Sequence, residues 1–101
     1  MLQIQHDVVS NKLNHGFNTT DIPLEFCLLS GELAEAFEAW KTGDANIGEE
    51  LADSAIYLFG IAELLGVDLG DEVLKKMEKN KNRKYKKTPT GHYHRISTET
   101  K

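Results

Sequence analysis

Apolar residues in this chain recur at steps of three and four, with few segments alternating at period two and no β-branched runs, which restricts the fold to packed helices. The first helix is expected over about residues 2–15, burying Leu2, Val9 and Leu13 and ending near Gly16. Asn18-Thr19-Thr20-Asp21 supplies capping residues, and Pro23 suits the first turn of a second helix, where it has no N–H to lose. That helix runs to about Lys41 with an apolar stripe of Phe26, Leu29, Leu33, Phe37 and Trp40, before Thr42-Gly43-Asp44. Asn46 and Glu49 have capping-box spacing for a third helix to about Leu65, capped by Gly66, with Leu51, Ala55, Leu58, Ala62 and Leu65 as its buried stripe. Asp68 and Asp71 open a fourth helix carrying Val73, Leu74 and Met77 to about Lys84. Thr88-Pro89-Thr90-Gly91 breaks the pattern, so the expected organisation is an all-α four-helix bundle over residues 1–87 and a flexible tail over 88–101.

A chain of 101 residues has room for one domain with a thin core, and association with further copies would reinforce it. No stretch approaches ~20 uninterrupted apolar residues, and the first residues have neither a basic segment nor a long apolar one, so membrane spanning and secretion by a standard signal are disfavoured. One cysteine, Cys27, makes no internal disulfide, which points to a cytoplasmic setting; lying among Phe26, Leu28 and Leu29 without a cationic neighbour, it reads as a buried apolar residue.

The net charge of −4 conceals a division. Residues 21–72 hold thirteen acids against one base, Lys41, whereas residues 73–87 hold eight of the twelve Lys and Arg against one acid, Glu78. Carboxylates that gather cations beside bases that gather anions suit metal plus phosphate. Nucleic acid is the rival use of Lys81, Arg83, Lys84, Tyr85, Lys86 and Lys87, but the acidic body and pI of about 5.5 argue against it.

Glu32, Glu35 and Glu38 follow at steps of three, so neighbours project about 60° apart on one side of a helix, and Glu50 and Asp53 repeat the step on the next. Two acid pairs facing one another need neutralising, and a hard divalent cation, Mg²⁺ or Mn²⁺, is the usual partner of an all-oxygen donor set. Di-iron bundles use Glu-x-x-His, and no His lies between residues 16 and 91. No P-loop sequence occurs, so phosphates would be held by metal and side chains. His92 and His94 have no acid near them and read as incidental.

Glu32-Leu33-Ala34-Glu35, then Glu49-Glu50-Leu51-Ala52-Asp53 and Ile56-Tyr57-Leu58, then Val67-Asp68-Leu69, Val73-Leu74-Lys75-Lys76-Met77, Asn80 and Arg83 together resemble the MazG-like all-α nucleoside triphosphate pyrophosphohydrolases, above all the dCTP pyrophosphatase-like branch, over roughly residues 4–85. The resemblance implies Mg²⁺-dependent hydrolysis of a (deoxy)nucleoside triphosphate to monophosphate and pyrophosphate, in nucleotide pool clean-up, by a homodimer or a dimer of dimers. By motif, Glu32, Glu35, Glu50 and Asp53 match its metal-binding acids, and Asn80 and Arg83 its substrate-facing polar residues. The family often carries an acid at the position of Leu29 in a shifted register; placing Glu32 first keeps the steps of three intact. The resemblance also suggests that aromatic residues near the ends of the first two helices stack on the base, for which His6, Phe17 and Trp40 are candidates.

In this reading one of the four acids, or Glu38, assists the attacking water, and spacing leaves open which. Lys76, Lys79 and Arg83 are candidates for gripping the triphosphate, Arg83 foremost because its planar fork matches phosphate oxygens. The competing expectations are a non-catalytic helical dimerisation module, whose stability would not respond to Mg²⁺, and a phosphoribosyl-ATP pyrophosphohydrolase, which would act on that compound and not on dNTPs.

Overall fold

The computed structural model describes residues 1–82, 84–87 and 93–97. Four helices follow in order, α1 (Leu2–Asn14), α2 (Ile22–Thr42), α3 (Ile47–Leu64) and α4 (Leu69–Lys81), then strands β1 (Lys84–Lys87) and β2 (Tyr93–Ser97). The chain divides into two units, Met1–Leu69 and Gly70–Lys101. No helix among the described residues is long and apolar enough to cross a membrane.

Several local signals act as anticipated. Asp21 caps α2 by accepting from the Leu24 N–H at 3.1 Å, with Pro23 in the first turn, and Gly43 ends the helix at φ 73°, a left-handed conformation open to glycine. Gly66, at φ 71°, follows α3 in the same way, with Val67 N–H donating to Ala62 O at 2.9 Å. Asn46, however, makes no side-chain cap. Asp44 organises the turn instead, its Oδ1 accepting from the Asn46 N–H at 2.8 Å. The Leu69 N–H at the start of α4 goes to Gln5 Oε1 of α1 at 2.6 Å.

In the second unit, α4 stops at Lys81, short of the expected Lys84. Lys84–Lys87, expected at the end of the helical domain, pairs antiparallel with Tyr93–Ser97, which lies in the stretch expected to be a tail, with an irregularity between Lys84 and Tyr85. Two short basic strands have too few apolar residues to alternate visibly, so period offers no signal there. The Thr88-Pro89-Thr90-Gly91 break lies outside the described residues.

The interior of the first unit is built differently from expectation. Its buried residues are Ala36, Ala39, Ile61 and Ala62 together with Gln5, Lys12, Glu25 and Ser54. Leu2, Leu13, Phe26, Leu33, Phe37, Trp40, Leu51, Leu58 and Leu65, all expected inside, are exposed, as is Cys27. Small and polar side chains let the helices approach while larger ones point outward. Polar groups survive at the centre because they are paired: Lys12 Nζ lies 2.8 Å from Glu25 Oε1, and Asn18 Nδ2 donates to Glu25 Oε2 at 2.9 Å. Gln5, fully buried, donates to Val67 O at 2.8 Å while accepting from Leu69.

Candidate metal site and adjoining cleft

On α2 the three-residue step brings Glu32 and Glu35 to one side, and α3 runs antiparallel beside it, so that Glu50 meets them. One carboxylate oxygen from each of the three lies within 4.8 Å of the others. Glu32 and Glu50 are half-buried and Glu35 is exposed. Glu50 Oε1 is buried with no hydrogen-bond donor. Among the described residues no Lys or Arg pairs with these acids.

Burial and then the negative charges of Glu35, Asp53 and Glu50 push Glu32 above its ordinary range. Burial and then Glu35, Asp53, Asp44 and Glu49 do the same to Glu50. Asp53 therefore shares the field of the cluster, while the three glutamates form its tight core. Glu38 is outside it, exposed and 3.6 Å from Lys41. An all-carboxylate set with an orphaned buried oxygen fits a hard divalent cation such as Mg²⁺ or Mn²⁺.

One helix leads from the acids to a cleft. Tyr57 is seven residues beyond Glu50, hence on the same face of α3 about 10 Å further along. It borders a cleft of about 480 Å³ lined by Ile4, Asp7, Val8, Asn11, Lys12, Phe17, Ile56 and Tyr57. The Lys12 ammonium sits 5.3 Å from the centre of the Tyr57 ring, and Phe17 stacks on His15 at 5.4 Å. α1 approaches closely because position 60 is glycine: a Cβ there would meet Val8 Cγ1 at 3.3 Å and Lys12 Cε at 3.4 Å.

Of the expected base-stacking residues, the cleft holds Phe17 alone. His6 is elsewhere, its Nε2 3.4 Å from Glu63 Oε2. Trp40 is near the C-terminal end of α2, against Phe37 at 6.0 Å, eighteen residues from Ile22 and so about 27 Å along the helix from the end that Phe17 adjoins. Lys76, Lys79 and Asn80 lie on α4 in the second unit, and Arg83 lies outside the described residues. Sequence reasoning missed Lys12, Glu25 and Tyr57. Gln5, Val8, Val9 and Lys12 do share one face at helical spacing, a signal that a polar residue here is interior.

Comparison with family models, with curated proteins and with solved structures returns no match to this chain.

Proposed function

We propose that this chain is a MazG-like nucleotide pyrophosphohydrolase, converting a (deoxy)nucleoside triphosphate to the monophosphate and pyrophosphate with Mg²⁺ or Mn²⁺. The carrying observation is the convergence of Glu32, Glu35 and Glu50, with an orphaned oxygen on Glu50, about 10 Å along the same face of α3 from an apolar cleft edged by Phe17 and Tyr57. The separation of about 10 Å along α3 suits a ligand with a flat apolar end and a polyanionic end.

In this proposal Glu32, Glu35 and Glu50 hold the cation and Asp53 adds charge beside them. When bound, the cation neutralises phosphate oxygens and lowers the pKa of coordinated water. One carboxylate accepts the proton of the attacking water, and pyrophosphate leaves with its charge spread over its oxygens. Phe17 and Tyr57 flank the base, taking the role expected of His6 and Trp40. Asn80, Arg83, Lys76 and Lys79 remain candidates for the triphosphate on the strength of the motif resemblance.

The test is incubation of the protein with each common dNTP and NTP, with Mg²⁺ or with EDTA, and separation of products by ion exchange. Monophosphate and pyrophosphate, formed with Mg²⁺ alone, are expected. Diphosphate and phosphate would contradict the proposal. Turnover of phosphoribosyl-ATP alone would transfer the site to that substrate, and no turnover of any nucleotide would leave a helical binding module.

A further inference from the structure

Charge divides this chain where its contacts do. Gly70–Lys101 carries ten Lys and Arg against four Asp and Glu, whereas Met1–Leu69 carries two against twelve. The pI of about 5.5 averages two unlike units, and because exposed charges are screened beyond ~10 Å at 0.1 M salt, a partner meets the local charge and not the mean. Bases are densest over residues 79–98, where seven Lys and Arg occur and no acid.

The β1–β2 ribbon arranges this basic stretch. Tyr85 pairs with Arg95, Lys86 with His94 and Lys87 with Tyr93. Directly paired residues share a face of a ribbon, and successive residues alternate between its faces. Tyr85, Lys87, Tyr93 and Arg95 therefore occupy positions on one face, and Lys86 and His94 positions on the other. On the first face each tyrosine position stands opposite a cation position, and the two tyrosine positions lie on a diagonal, about 7–8 Å apart. Neither strand contains an acid. Two aromatic and two cationic positions in a checkerboard match a ligand with successive flat rings and spaced negative charges.

Single-stranded nucleic acid has that chemistry, with open base faces for stacking and a phosphate on each nucleotide. A duplex offers its phosphates but keeps its bases stacked, so it would use the cations alone. A free nucleoside triphosphate brings one base and would use one of the two tyrosine positions.

We propose that the β1–β2 ribbon binds single-stranded nucleic acid, bases stacking at Tyr85 and Tyr93 and phosphates held at Lys87 and Arg95. It stands apart from the hydrolytic reading: binding by an inactive protein would sustain it, and hydrolysis without binding would overturn it. Fluorescence anisotropy of a short dye-labelled oligothymidylate, titrated with the full chain in EDTA, is the test. Binding should weaken as salt rises, with a log–log slope of about −0.7 for each phosphate held, and should exceed binding of a duplex of equal length. Tyr85→Ala with Tyr93→Ala should weaken it by about 5-fold or more per ring while helical circular dichroism persists, and Lys41→Ser, exposed on α2, should leave it unchanged. Thymidine triphosphate at equal nucleotide concentration should not displace the oligonucleotide. No binding at low salt, equal affinity for the duplex, displacement by the triphosphate, or undiminished binding by the folded double variant overturns the proposal. If the double variant loses its helices, the comparison of single strand with duplex on the wild type decides.

Discussion

Glu50 and Glu32, both raised by burial and by neighbouring carboxylates, act against Glu25 in the pH dependence of stability. At Glu25 burial pushes upward, but hydrogen bonds from Lys12 and Asn18 and the charge of Lys12 outweigh it, and the group ends below its ordinary 4.5. A carboxyl raised by folding binds more protons folded than unfolded, so Glu32 and Glu50 weaken the fold as pH climbs above 4.5. Glu25 is lowered, so its contribution is present above 4.5 and lost as pH falls through its folded value. Metal-free protein should therefore gain stability as pH falls from neutral toward the mildly acidic range and lose it further down, and Mg²⁺ should flatten the first change; urea unfolding across pH checks both. Lys12→Met strands buried Glu25 and should lower stability by about 3–5 kcal/mol, with much of that restored when Glu25→Leu is added, as denaturant midpoints would show. Glu50→Gln should reduce kcat at least ~10²-fold with the fold retained; full activity would mean the metal is misplaced.

At the scale of elements, α1 and α3 meet where Gly60 leaves room for Val8 and Lys12. Gly60→Leu should push α1 away at a cost of about 1–3 kcal/mol and widen the cleft beside Tyr57, measurable as a lower melting temperature and weaker nucleotide binding. The number of helices, the Asp21 cap and the Gly43 stop were legible in the sequence, because each is decided within a few residues. The Asn46–Glu49 capping box was not, since Asp44 takes the Asn46 N–H that Glu49 would accept and the Asn46 side chain makes no cap. The acid cluster was legible as two three-residue steps, but that Glu50 joins Glu32 and Glu35 more tightly than Asp53 does depends on how the two helices meet. Period locates the apolar stripe of a helix and says nothing of what covers it, which is why Phe26, Leu33, Phe37, Trp40, Leu51, Leu58 and Leu65 were expected inside.

For the molecule as a whole, small and polar residues face inward in the first unit, Glu50 of the acid cluster and Tyr57 of the cleft share one helix, and the large apolar residues face out. If the acids hold a cation, a chain so arranged gains stability from that binding. Electron paramagnetic resonance of added Mn²⁺ decides whether Glu32, Glu35 and Glu50 hold a hard divalent cation. The wild type should immobilise Mn²⁺, Mg²⁺ should displace it, and Glu50→Gln with unchanged circular dichroism should lose the binding. Equal Mn²⁺ binding by the wild type and the variant, or none by the wild type, would mean that these three glutamates hold no cation.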